Sequence, residues 1–135
     1  VTITNQDVKI YRGDTATLFV TLTQADGSPF DPTVSVEIRW RMARNWHTPE
    51  SEALVRKQLG EGIELTAGGV NIDLEAADTD VFPGIYYHEL KVWDVGDVMT
   101  AMTGAMVIKP SVQMGEPSAP ADAVFTLQAD APTVT

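Results

Sequence analysis

Cysteine is absent, so no disulfide framework holds the fold, and thiolate metal sites and thiol catalysis are excluded. The absence also agrees with folding in a reducing compartment. Histidine is scarce: His47 and His88 are the two present, and neither can be placed in a Ser-His-Asp or Cys-His arrangement. Positive charge is scarce as well, 9 basic against 19 acidic residues for a net −10. Such a surface repels phosphate backbones and anionic headgroups, which argues against nucleic acid and against a membrane as partner. No apolar run approaches the roughly 18 residues of a membrane-spanning helix. The first ten residues carry neither the basic patch nor the apolar core of a secretory signal. Gly60, Gly62, Gly68 and Gly69 are followed by no Gly-Lys-Ser/Thr, so they are not a phosphate loop and read as hairpin glycines.

What is present is a period of two. An apolar content of 44% is enough for one domain with a proper core. Ala16, Leu18, Val20 and Leu22 alternate with polar residues, as do Val34, Val36, Ile38 and Trp40, the pattern of strands with one wet face. Ala25-Asp26-Gly27-Ser28-Pro29 and Asp31-Pro32 are turn chemistry. Shorter runs follow at Leu54–Leu59, Ile63–Leu65 and Val70–Leu74, then Glu75–Val81 as one helical turn with Asp78 as its cap or turn former. Two long strands close the series, Ile85–Asp94 and Val98–Ile108. Seven or eight short strands without βαβ alternation predict an all-β, immunoglobulin-like, two-sheet antiparallel sandwich over residues 1–109. Residues 110–135 are rich in Pro, Ala, Ser and Thr and predict an extended C-terminal arm. Its one apolar knot, Val124-Phe125-Thr126-Leu127, alternates like a strand. It either adds to a sheet edge of a neighbouring chain or folds back on its own domain.

Four segments in order carry a resemblance: Ile10-Tyr11-Arg12-Gly13-Asp14-Thr15, the Ala25–Pro29 turn, Gly69–Thr79, and Pro83-Gly84-Ile85-Tyr86-Tyr87-His88-Glu89-Leu90-Lys91-Val92. Together they resemble the small immunoglobulin-like virion proteins of tailed bacteriophages and prophages, similar to the N-terminal domain of baseplate upper proteins. The likeness covers roughly residues 8 to 110. It implies a structural, non-enzymatic subunit made and assembled in the host cytoplasm. That subunit would dock on other virion proteins of capsid, neck or tail and repeat as a symmetric homo-oligomer. Baseplate upper proteins continue into a long receptor-holding region, whereas this sequence stops at Thr135, which turns the expectation toward a decoration or adaptor subunit. The alternative is a tail- or baseplate-associated module that recognises host-surface carbohydrate or protein.

The expected partner-binding residues are Arg41, Arg44 and Trp46, an aromatic with arginines in an irregular loop, together with Val124, Phe125 and Leu127 of the arm. Carbohydrate stacking on Trp46 competes with a protein partner. No catalytic residue, cofactor or metal ligand set is expected. The acidic groups Asp73, Glu75, Asp78, Asp80 and Asp94, Asp97 lack the spacing of a calcium loop. Arg12-Gly13-Asp14 spells an integrin-type tripeptide but reads better as a turn. Trp40 and Trp93 are expected in the core, the two histidines at surface or edge, and Tyr86 at a tyrosine corner. If the last strand is regular, Met102 and Met106 share a face with Gly104 between them; a glycine there leaves a gap, which the methionines are suited to fill as core or as an adaptable interface, or else marks a bulge.

Overall fold

The computed structural model describes residues 3–24, 27–28, 37–94, 96–112 and 123–130. Nine strands are present among them: β1 (Val8–Tyr11), β2 (Ala16–Thr23), β3 (Glu37–Ala43), β4 (Val55–Leu59), β5 (Gly62–Thr66), β6 (Gly69–Leu74), β7 (Gly84–Asp94), β8 (Asp97–Lys109) and β9 (Ala123–Asp130). One helical turn, α1 (Ala76–Thr79), lies between β6 and β7. The protein is thus nearly all-β. The strands form one continuous sheet, in the order β1-β8-β7-β3-β4-β5-β6-β2-β9, curled nearly into a barrel, where two separate sheets were expected. Nor is the pairing uniformly antiparallel: β1 with β8, β2 with β9 and β4 with β5 run parallel.

Alternation decides which side chains enter the core. Ala16, Leu18, Val20 and Leu22 are all buried, in one core cluster with Ile38, Trp40 and Met42 of β3 and Leu90 and Val92 of β7. The expectation for Val34 and Val36 lies outside the described residues, as do Ala25, Asp26, Pro29 and the Asp31-Pro32 break. Part of the first turn is visible: Gly27 takes φ +86° and donates its N–H to the Gln24 carbonyl. In β8 the pairing with β7 skips Ala101, a bulge that turns both Ala101 and Met102 inward.

Local chemistry sets the corners. Glu75 caps α1 while the Asp78 carboxylate accepts from the Glu75 N–H at 2.8 Å, a reciprocal capping box. The Arg12-Gly13-Asp14 segment is a tight turn, Gly13 at φ +83°, with the Arg12 guanidinium paired to Asp80 at 2.9 Å. The Tyr86 hydroxyl donates to the carbonyl of Phe82, the backbone bond expected of a tyrosine corner. Gly68 and Gly69 do turn a hairpin, β5 to β6. Gly60 and Gly62 do not: they lead into a parallel pairing of just two residue pairs, Gln58 with Gly62 and Leu59 with Ile63.

Three sequence expectations are corrected. Trp93 is half-buried on the outer face, where its ring lies 4.8 Å under the Arg39 guanidinium, because Val92 takes the inward position. His88 is fully buried, not at the surface. The space over Gly104 is filled by backbone rather than by methionine: a Cβ there would meet the Gln6 carbonyl oxygen at 2.2 Å. Met102 and Met106 are buried in the core on either side.

The segment Ile3–Asp7 runs beside β8, bridging Ile3 to Met102, and brings Gln6 to the outer edge of β9. There the Gln6 side-chain oxygen accepts from the Gln128 N–H at 3.0 Å. The two ends of the strand order are thereby joined. β9 itself pairs with β2 of its own chain over eight residues, Ala16 with Ala123 through Thr23 with Asp130.

Candidate partner-binding surface

β3 ends at Ala43, and the segment that follows is built on Asn45. The Asn45 side-chain oxygen accepts from the Thr48 hydroxyl at 2.9 Å and the His47 N–H at 3.3 Å, folding the loop on itself. A short 3₁₀ turn at Glu50–Glu52 follows, and Leu54 returns to bond Met42 at 2.8 Å. This compact loop holds Trp46 outward, 76% exposed, with the His47 ring edge-on at 5.1 Å.

A row of paired residues crosses the sheet beneath it: Ala43 pairs with Tyr87, and Tyr87 with Ala105. Asp7 lies next in the row, accepting from the Ala105 N–H at 2.9 Å. Above this row opens a cleft of about 490 Å³, lined by Trp46, Arg44, Ile85, Tyr87, Asn5 and Asp7 among others. Ile85 is 74% exposed, so an aliphatic and an indole face the same cleft. Asn5 holds φ +60°, in the left-handed region that asparagine tolerates better than most residues. The Tyr87 hydroxyl donates to Glu89 at 3.0 Å, and burial first, then that carboxylate, pushes its pKa well up. The phenol stays neutral at ordinary pH. A second depression on the other side of the loop shares Arg44 and Asn45 and adds His47, Pro49 and Leu54.

The expected residues separate. Arg44 and Trp46 come together on the cleft. Arg41 does not join them: its guanidinium donates to the carbonyls of Lys57 at 2.8 Å and Trp40 at 3.0 Å and to Glu50 at 2.9 Å. That hydrogen bond, chiefly, holds the Glu50 carboxyl below its ordinary pKa. Arg41 is a clamp between β3, β4 and the 3₁₀ turn. Phe125 packs against the chain's own core and Leu127 is 5% exposed, so both serve the fold of this chain. The Val124 side chain lies outside the described residues. Ile85 and Tyr87 were missed, though parity could have found them: with Tyr86, His88 and Leu90 inward, Ile85 must point out.

The buried His88 is bonded at both ring nitrogens. The Trp40 indole N–H donates to Nδ1 at 3.0 Å, and Nε2 lies 2.7 Å from the Gln6 carbonyl, which makes Nε2 the protonated nitrogen. Burial pushes its pKa down to about 4, against smaller upward pulls from the Gln6 bond and Asp7. With both nitrogens engaged, this imidazole is a core strut. Three of the acidic residues are likewise engaged within the chain: Asp73 with Thr17, Asp78 with Lys57, Asp80 with Arg12. Among the described residues no three His, Asp or Glu side chains converge as a metal ligand set. Neither a protein-family model nor a curated protein matches the chain.

Proposed function

We propose that the chain is a non-catalytic structural subunit of a tailed-bacteriophage or prophage particle, a decoration or adaptor on capsid, neck or tail. It would dock through the surface around Trp46. The observation that carries the docking is the joint exposure of Trp46 (76%) and Ile85 (74%) on one cleft beside Arg44. A large exposed indole and aliphatic are costly to leave in water, and Trp with Arg are the residues most enriched where interfaces gain their affinity. The virion assignment is supported by the order of the four resembling segments. The strand order supports a finer reading of the fold as an immunoglobulin-like sandwich, folded over at the two-pair β4–β5 join. One layer would be β1-β8-β7-β3-β4 and the other β5-β6-β2-β9.

Immunoblotting of gradient-purified particles from the producing host tests the proposal. The wild-type chain is expected in the particle fraction, and Trp46→Ala with Ile85→Ser is expected to cut incorporation at least about tenfold, the equivalent of 1.4 kcal/mol. Absence of the wild-type chain from particles defeats the proposal. A second reading, a module that binds host-surface carbohydrate, is favoured by one observation: Thr4, Asn5, Asp7 and Asn45 put polar groups around the Trp46 indole. A glycan-array signal lost in Trp46→Ala would select it.

A further inference from the structure

We infer that the edge of β2 is a strand-acceptor site that takes β9 from a second copy of this chain, in the same parallel register that β9 adopts within its own. The inference is independent of the Trp46 surface.

Geometry supplies the first ground. β8 ends at Lys109, which pairs with Tyr11, and β9 begins at Ala123, which pairs with Ala16. Tyr11 and Ala16 are five residues apart and folded together by the Asp14 N–H to Tyr11 carbonyl bond. At about 3.5 Å per residue, plus about 5 Å for each strand pairing, Lys109 and Ala123 are separated by at most roughly 28 Å. Residues 110–122 connect them, and that many residues can reach roughly 46 Å. The connection is far longer than a return to its own sheet requires. Strands joined by tight turns, such as β7 and β8, have no such freedom.

The second ground is chemical. Residues 110–122 contain three prolines and few apolar side chains, so they have little of their own to bury. β9, by contrast, carries everything it needs for docking. Its ladder to β2 runs over eight residues, Leu127 and Ala129 are buried, and Gln128 is received by Gln6. Every one of these contacts forms identically whether β9 comes from the same chain or from another. The partition between the two is therefore set by concentration alone. A connection of this length gives β9 an effective concentration of order millimolar at its own acceptor. Exchange takes over when copies are held together at comparable density, as they are in a repeating array. Without β9 in either form, β2 presents a bare edge of backbone donors and acceptors.

The cysteine-free chain makes the test clean. Thr21 and Gln128 are paired in register and line the same small depression, so cysteines at both positions report the pairing. The double variant Thr21→Cys with Gln128→Cys, refolded dilute, is expected to cross-link within one chain and run as a monomer, which certifies the register. The two single variants, one isotope-labelled, are then mixed, unfolded and refolded together at about 1 mM and at about 10 μM. The expected result is a disulfide-linked peptide pair joining labelled residue 21 to unlabelled residue 128, at least tenfold more abundant in the concentrated sample. If the concentrated mixture yields no 21–128 link between chains while the double variant cross-links fully, the inference is overturned. Because the readout uses neither particles nor Trp46, its failure and that of the proposed function are told apart.

Discussion

His88 is the residue whose behaviour depends most on acidity. Burial holds its pKa at about 4, whereas in the unfolded chain an imidazole titrates near 6.5. Between those values the unfolded chain binds the proton and the folded one does not, so stability falls as pH drops through that window. Above pH 6.5 the contribution is complete and flat. By pH 4.5 the loss is about 2–3 kcal/mol. Urea unfolding at pH 7.5 and pH 4.5 measures it, and His88→Gln, which cannot titrate, is expected to show a much smaller step. Gly104 belongs to the same assembly. Alanine there would drive a Cβ into the Gln6 carbonyl, and backbone cannot yield as a side-chain end can. Gly104→Ala is expected to cost roughly 3 kcal/mol, as overpacking does at its upper range. It should also raise the pKa of His88 by admitting water, followed by NMR titration of the imidazole. The burial of His88 was legible from its parity with Tyr86 and Leu90. Its polarity argued the other way, because the two partners that satisfy it, Trp40 and the Gln6 carbonyl, lie 48 and 82 residues away.

Among the strands, period-two alternation located β2, β7 and β8 to within a residue or two and overlapped β3 over residues 37–41, and it sorted inward from outward faces except where Trp93 and His88 were concerned. Pairing partners were not legible. Alternation states which face a side chain occupies but not which strand lies alongside, and a parallel neighbour leaves no turn in the sequence. Hence β1 with β8 and β2 with β9 came from the structure alone. The surface was half legible for the same reason: Arg44 and Trp46 share one loop, whereas Ile85 and Asn5 reach the cleft through pairings between distant strands. Removing residues 113–135 strips the β2 edge and uncovers the core beside Leu127. The truncated chain is expected to melt at a lower temperature by several degrees, since about 1 kcal/mol shifts a domain of this size by roughly 2–8 °C. It is also expected to aggregate on heating through the open edge, seen by light scattering.

The whole molecule joins residues that are far apart in sequence: Val8 meets Met106 and Ala16 meets both Leu74 and Ala123. Loops that long must close before their contacts form, so refolding is expected on the millisecond-to-second scale typical of such β topologies, measurable by stopped-flow tryptophan fluorescence. Microsecond refolding would contradict the non-local order of the sheet.

Following the pairings across the sheet, β1 and β9 run in opposite directions, so the Ile3–Asp7 segment and the Asp130 end of β9 emerge at the same pole, stitched by Gln6 and Gln128. A tether attached to each would meet the molecule side by side. Tension drawing the tethers apart would open that stitch first and then peel β9 from Asp130 backwards, one rung at a time like a zip. The joint therefore yields under modest force at one margin, while the strands around Trp40 stay unloaded and intact.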